Sequence, residues 1–104
     1  MPPWSQWWGE GVLQFLVRDE ARRSEIEQEL PRLPLLFFET PIPLPADWCA
    51  GRCGFLLLSE FHRADATAAA ARGWPVIERP GGHLDIVNDE EEIAEVLEEL
   101  GHQA

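Results

Sequence analysis

The sequence predicts an α/β protein with two short parallel strands, each followed by a helix. A continuous apolar run at residues 54–59 is typical of a parallel strand that is covered on both faces. The alanine-rich residues 60–72 favour a helix, and Gly73 is well placed to end it in the left-handed conformation. Val76 and Ile77 then form a second strand, which a right-handed crossover through the helix places parallel to the first.

The two helices of this part each have a predicted packing face. In the alanine-rich helix, the face expected to pack closely consists of Ala64, Ala68 and Ala71. The last helix is capped by Asn88 or Asp89, places acidic residues at the positive end of its dipole, and ends at Gly101. Its apolar stripe consists of Ile93, Val96, Leu97 and Leu100.

The N-terminal part of the chain predicts helices only. Residues 1–18 favour one short amphipathic helix, because a group of tryptophans is followed by aliphatic residues at mostly helical spacing. Asp19 is the expected N-cap of a second helix. Its buried stripe contains Ile26 and Leu30, and Pro31 ends it.

Prolines divide the chain into two parts. They recur so often in residues 39–48 that this stretch predicts an extended linker, whereas residues 33–38 fit either a short helix or an extended apolar segment. The predicted organisation is a helical cap-like segment with a proline-rich linker at 1–48 and a βαβα portion at 49–104. Two short strands are marginal in water, so we expect a homo-oligomer or a companion polypeptide to complete the sheet.

Net charge excludes several classes of partner. The chain carries −11 at neutral pH, and the eight acidic residues after Arg79, with no basic ones, place −8 of it in residues 80–104. Such a surface repels phosphate backbones and anionic lipid, so we expect neither nucleic acid nor a membrane as partner. The sequence has no apolar run of transmembrane length and no signal-peptide pattern, which predicts a cytoplasmic protein.

Metal and cofactor binding are not predicted. Cys49 and Cys53 have a CxxxC spacing, but a zinc site would need further ligands from three scattered histidines, so two thiols in a reducing compartment are the better interpretation. The acidic run at residues 89–92 could suggest a cation site. Consecutive acids on a helix point in different directions, so compensation of the helix dipole is the better account.

Residues 73–89 contain the most informative motif of the chain. They run from a short strand through a Pro-Gly-Gly-His loop, with His83 exposed, to an acidic helix, and this arrangement resembles the end of small α/β-hydrolase-fold proteins. The tryptophan-rich N-terminus, the ELPRLPLLFFETPIPLPADW stretch and the CGFLLLSE strand are similar to the cap and penultimate strand of actinobacterial hydrolase-like proteins. The resemblance covers nearly the whole chain and implies a partial α/β-hydrolase-like fold.

The resemblance implies roles for two residues and leaves a third role unfilled. In the family a histidine is the general base, an acid after the penultimate strand orients it, and a serine in a GxSxG turn attacks the carbonyl. In this sequence the base position of the family matches His83, and the acid position matches Glu60. No GxSxG motif occurs in these 104 residues, and Ser59 lacks flanking glycines, so we expect it to cap the strand end.

Two functions from different classes follow from these observations. The first is an ester or acyl hydrolase lineage that is inactive alone and acts as an oligomer or with a companion chain, unless an incorrectly assigned start has removed the upstream half. The second is a non-catalytic protein that binds an apolar small molecule or a protein partner through aromatic residues of the cap. The short predicted sheet favours a contact surface as the role of these aromatic residues over a binding pocket. They are Trp4, Trp7, Trp8, Phe37 and Phe38.

Overall fold

The computed structural model describes residues 1–8 and 11–104 and divides the chain into two compact units, Met1–Ala46 and Asp47–Ala104. The N-terminal unit contains α1 (Val12–Leu16), α2 (Glu20–Glu29) and α3 (Leu35–Glu39). The C-terminal unit contains β1 (Phe55–Leu57), α4 (Arg63–Ala71), β2 (Val76–Glu78), α5 (Asp85–Asn88) and α6 (Glu90–Gln103). Short 3₁₀ turns occur at Trp4–Gln6 and Glu60–His62. The protein is therefore a small mixed α/β protein.

The start of the N-terminal unit differs from the single helix predicted over residues 1–18. A 3₁₀ turn at Trp4–Gln6 and the separate helix α1 occupy the described part of this stretch, and positions 9 and 10 lie outside the described residues. Gly11 precedes α1 with φ of 90°, a left-handed conformation that interrupts helical geometry. Leu13 and Val17 are the buried hydrophobic residues of the described part of this unit, and Ser5 is buried as well.

The predicted limits of the second helix are confirmed, but its predicted buried stripe is wrong, because Ile26 and Leu30 are only half-buried and Leu30 lies beyond the helix end. The Asp19 side chain accepts a hydrogen bond of 3.0 Å from the Arg22 backbone N–H, which caps α2 at its first turn. The helix ends at Glu29, before Leu30 and Pro31. The ambiguous segment at 33–38 contributes to a third helix, α3, whose side chains are all exposed.

A parallel β–α–β unit forms the centre of the C-terminal unit, as predicted. Phe55 of β1 pairs with Val76 of β2 and Leu57 pairs with Glu78, and these two strands make up the sheet in the described part of the chain. Gly73 follows α4 with φ of 82°, the left-handed conformation expected after a helix. Helices α4 and α6 both contact the two strands. The core of this unit consists of Leu57, Ala66, Ala69, Ile93 and Leu100.

The predicted packing face of α4 is wrong. The buried alanines are Ala66 and Ala69, and the expected ones are all exposed, namely Ala64, Ala68 and Ala71. The reason is that the chain leaves β1 through a 3₁₀ turn, so α4 begins only at Arg63 and its phase around the helix axis is shifted.

The predicted end of the last helix is also wrong. Helix α6 continues through Gly101 to Gln103, because Arg52 donates hydrogen bonds to the carbonyl oxygens of Gly101, at 3.0 Å, and Ala104. These bonds satisfy carbonyl groups that a helix end leaves free. In the predicted stripe Ile93 and Leu100 are buried and Val96 is half-buried, whereas Leu97 is 45% exposed.

No helix within residues 1–8 and 11–104 combines the length and apolarity needed to cross a bilayer.

Candidate active site at the rim of the parallel sheet

The carboxyl ends of β1 and β2 form one edge of the sheet, here called the rim. Open α/β sheets bind ligands at this edge, because the loops that leave parallel strands meet there. A groove of about 400 Å³ lies along the rim. Its lining consists of Leu57, Leu58, Ser59, Glu60, Arg63, Glu78, Arg79, Pro80 and Gly81.

The Pro-Gly-Gly-His loop is held at the rim by Asp85, which is only 6% exposed. Its carboxylate accepts hydrogen bonds from the Gly82 backbone N–H at 2.9 Å, from Asn88 Nδ2 at 3.1 Å, and from Arg79 Nη1. A side chain at Gly81 would collide with this carboxylate. The glycine is therefore needed to let the loop close over Asp85.

Arg79 ties the end of β2 to the first turn of α6. Besides Asp85, its guanidinium donates to Asp89 Oδ2 and to both carboxylate oxygens of Glu92, each at 3.1 Å. The cluster formed by Arg79, Asp85, Asp89 and Glu92 is here called the Arg79 cluster. Two residues of the acidic run at 89–92, Asp89 and Glu92, therefore bind Arg79, whereas the sequence analysis assigned the whole run to compensation of the helix dipole.

Charge in the Arg79 cluster shifts the ionisation of its members. Burial is the largest influence on Asp85 and acts to raise its pKa, but hydrogen bonds from Gly82, Asn88 and Arg79 together outweigh it and lower the pKa below the ordinary value. The pKa of Glu92 is also lowered, chiefly by its hydrogen bonds with Arg79. These carboxylates are therefore ionised structural groups, unlike acids that must donate a proton.

The predicted base, His83, lies exposed on the loop after β2. Its imidazole contacts the ring of His62, with 4.9 Å between ring centroids and an interplanar angle of 36°. In the described part of the chain, no carboxylate is hydrogen-bonded to the His83 ring. The structure thus places His83 at the rim beside a second histidine, without an orienting acid of its own.

The predicted acid, Glu60, is bound to an arginine. Arg63 Nε donates to Glu60 Oε2 at 3.1 Å and a second nitrogen binds Oε1, while Nη1 of the same guanidinium reaches Glu78. The hydrogen bond from Arg63 is the main reason that the pKa of Glu60 is lowered. Glu60 therefore lines the groove, but its carboxylate is paired with Arg63 and is not hydrogen-bonded to His83.

A histidine–carboxylate pair that the sequence analysis did not select is also found at the rim. His62 ends the 3₁₀ turn after β1, and its Nδ1 lies 3.1 Å from Oδ2 of Asp65 in the first turn of α4. The i,i+3 spacing of these residues is the only sequence signal for the pair. Arg63 and Glu60 share that spacing, so the signal has low specificity.

Ser59 has the capping role that its sequence context predicts. Its hydroxyl oxygen accepts a hydrogen bond of 3.3 Å from the Phe61 backbone N–H, at the start of the 3₁₀ turn. The side chain is therefore engaged with the backbone.

The five aromatic residues predicted for binding lie together in the N-terminal unit. Centroid separations are 5.5 Å for Trp4–Trp8, 5.7 Å for Trp7–Trp8, 5.1 Å for Trp7–Phe38 and 5.2 Å for Phe37–Phe38. We call this group the aromatic cluster. Beside it lies a cavity of about 140 Å³ lined by Pro2, Trp4, Trp7, Pro31, Leu33 and Phe38.

Neither cysteine is part of a metal-binding group. Cys49 and Cys53 are free and half-buried, and Arg72 Nη1 lies 3.8 Å from the Cys49 sulfur. Across residues 1–8 and 11–104, no three side chains among histidine, cysteine, aspartate and glutamate are grouped so that they could hold a metal ion.

Comparison with known proteins gives no match to this chain among family models, curated proteins or solved structures. The protein is a mixed α/β protein with a short parallel sheet and two histidines at the carboxyl edge of that sheet.

Proposed function

We propose that the C-terminal unit supplies the acid–base half of an α/β-hydrolase-type active site, and that the nucleophile comes from a companion polypeptide. The observation that carries this proposal is the contact between two imidazoles at the carboxyl edge of a parallel sheet, with His83 on the glycine loop after β2. Neutral imidazole is the side chain best suited to proton transfer near neutral pH. The groove along the rim is lined by Glu60 and Arg63, which flank Phe61 and His62 in sequence, and by Gly81, two residues before His83, but neither histidine lines it.

The chain by itself is expected to be inactive towards esters. Its 104 residues contain no GxSxG sequence, and the Ser59 hydroxyl accepts a backbone hydrogen bond. Within the described residues no third strand pairs with the outer edge of β1 or β2, and unpaired strand edges favour pairing with another chain. A companion polypeptide, or a second copy of the chain, would cover such an edge and complete the site.

A complementation assay tests this proposal. The full chain is mixed with an upstream α/β-hydrolase half that carries the GxSxG serine, and turnover of p-nitrophenyl butyrate is measured. We expect activity only in the mixture, its loss in the His62→Ala/His83→Ala double variant, and no change in His102→Ala, which removes an exposed histidine from the end of α6. A mixture that is no faster than the upstream half alone would refute the proposal.

The aromatic cluster favours a second candidate function, binding of an uncharged apolar small molecule by the N-terminal unit. Three tryptophans and two phenylalanines in mutual contact beside a cavity of about 140 Å³ offer an apolar surface with few polar groups. The Trp7 indole N–H is already satisfied by the Pro2 carbonyl oxygen at 2.8 Å. The ring is thus held in place for packing.

Nile red fluorescence tests this second candidate. We expect the neutral dye to bind the full chain, Trp7→Ala to abolish binding, and Trp48→Ala, a tryptophan of the C-terminal unit, to retain it. Loss of His83 should leave binding unchanged. Equal binding by wild type and Trp7→Ala would rule out the cluster as the binding site.

A further inference from the structure

The geometry points to His62, oriented by Asp65, as the group that accepts and returns the proton in the completed site. This inference rests on the proposed function and assigns a role within it that the sequence had given to His83.

The first step is the identity of the hydrogen-bonded nitrogen. Nδ1 of His62 lies 3.1 Å from Oδ2 of Asp65. An ionised carboxylate can only accept, so Nδ1 must carry the hydrogen and the Nε2 lone pair of the neutral ring is left free. A carboxylate that fixes this tautomer is the arrangement by which hydrolytic enzymes prepare a histidine as general base.

His83 has no such carboxylate partner. Among the described residues, the interaction found for its side chain is the contact with the His62 ring, with 36° between the ring planes. Since Glu60 is paired with Arg63, no acid fixes the tautomer of His83. His83 can pack against His62 and limit its rotation, together with Phe61, whose ring centroid lies 5.2 Å from that of His62. His83 and Asp65 are then positioning residues.

The third step is the chemistry. A serine hydroxyl of the companion polypeptide forms the bond to the ester carbonyl carbon, and its proton passes to Nε2 of His62. The carbonyl electron pair moves to oxygen. When the tetrahedral intermediate collapses, the bond to the leaving alcohol breaks and Nε2 returns the proton to the alcohol oxygen. Water then reacts with the acyl-enzyme through the same proton transfers, which releases the carboxylic acid and restores the serine.

Nitrogen NMR on the chain alone tests the geometry without any companion. Long-range ¹H–¹⁵N spectra distinguish a protonated from an unprotonated ring nitrogen. We expect neutral His62 to carry its hydrogen on Nδ1, and His102 to serve as the reference in the same sample. In Asp65→Asn the hydrogen of His62 should shift towards Nε2. A wild-type His62 with its hydrogen mainly on Nε2 would overturn the inference, whatever the result of the complementation assay.

Kinetics in the complemented mixture test the role. General-base catalysis is worth about 10²–10⁴-fold, so His62→Ala should lose about 100-fold or more in kcat. Asp65→Asn should lower kcat by no more than about tenfold, because the pair is open to solvent, with KM unchanged. His83→Phe, which keeps a ring against His62, should retain more activity than His62→Phe.

Full activity in His62→Ala, with loss in His83→Phe, would assign the proton transfer to His83 and refute the proposed role of His62. No turnover in the wild-type mixture would count against the proposed function, and the NMR result would still decide the geometry.

Discussion

Replacing Asp85 by asparagine should destabilise the C-terminal unit by about 2 kcal/mol. The wild-type carboxylate accepts hydrogen bonds from Gly82 N–H, Asn88 Nδ2 and Arg79 in a site that is only 6% exposed. Hydrogen bonds to a charged group contribute about 1.5–3 kcal/mol each and neutral ones about 0.5–1.5 kcal/mol. Asparagine keeps one acceptor oxygen and places an NH2 group where the other oxygen was, so the bond from Asn88 is lost, which accounts for about 2 kcal/mol, and the bond from Gly82 is weakened.

Thermal and urea unfolding, followed by far-UV circular dichroism, measure this loss. A change of about 2 kcal/mol corresponds to a fall in Tm of about 8–16 °C for a unit of this size. Glu98→Gln is the matched control, since it removes the same charge from an exposed position of α6 and should change stability by less than about 0.5 kcal/mol. If Asp85→Asn unfolds within about 0.5 kcal/mol of Glu98→Gln, the loop is not held by its carboxylate.

Three further predictions concern the same unit. Folding lowers the pKa of Asp85 below 3.8, so the contribution of this carboxylate to stability is complete above that pH and is lost as pH falls through the folded pKa. The urea midpoint of Asp85→Asn should therefore fall less than that of the wild type between about pH 6 and pH 2. Ile93→Ala, at a position 1% exposed, should lower the free energy of unfolding by about 2–5 kcal/mol, whereas Leu97→Ala, at a position 45% exposed, should cost far less; similar urea midpoints for these variants would contradict the core assignment. Gly81→Ala should be clearly more destabilising than Gly82→Ala in thermal unfolding, because a Cβ at Gly81 meets the Asp85 carboxylate, whereas one at Gly82 lies 3.4 Å from its nearest oxygen, and the reverse order would refute the proposed loop packing.

The β–α–β unit could be predicted from the sequence because each of its parts has a local signal. The apolar run at 54–59 has the length of a buried strand, and Gly73 adopts the left-handed conformation that ends a helix. The packing face of α4 had no such signal. The 3₁₀ turn at Glu60–His62 takes the place of the first predicted helical turn, and a different set of alanines, Ala66 and Ala69, lies in the core.

The continuation of α6 through Gly101 shows a different limit. Glycine permits a helix to end but does not require it, and the outcome depends on whether the last carbonyl groups find donors. Arg52 supplies those donors from 49 residues earlier in the chain, to the carbonyl oxygen of Gly101. A contact of this range cannot be recognised from spacing, so a local rule that is usually sound predicts the wrong helix end.

The candidate site was predictable only in part for the same reason. A glycine loop after a strand marks His83 as a residue at the rim, since this inference needs only the order of the elements. The partner of each acid depends on side-chain geometry. Glu60 and Asp65 both lie near the start of α4, yet Arg63 binds the first and His62 binds the second. Sequence order alone favours Glu60, and the structure pairs the other carboxylate with an imidazole.

The Arg79 cluster and the His62–Asp65 hydrogen bond each position one of the two imidazoles at the rim. Arg79 and Asp85 fix the two ends of the loop that carries His83, and His62 is attached to α4 through Asp65. The contact between the two imidazoles therefore depends on α4, which carries Asp65, and on the loop that Arg79 and Asp85 fix. The His62–Asp65 pair, in which the Asp65 side chain is 67% exposed, contributes little to stability, whereas Asp85 is buried and accepts hydrogen bonds from both Arg79 and Gly82. Weakening the loop at Asp85 should thus separate the two imidazole rings before the unit unfolds.

NMR of the Asp85→Asn variant tests this coupling. Loss of the His62–His83 contact should be seen as a change in the His62 ring proton shifts at a temperature where far-UV circular dichroism is still native. Unchanged ring shifts up to the unfolding transition would show that the two parts of the rim are held independently.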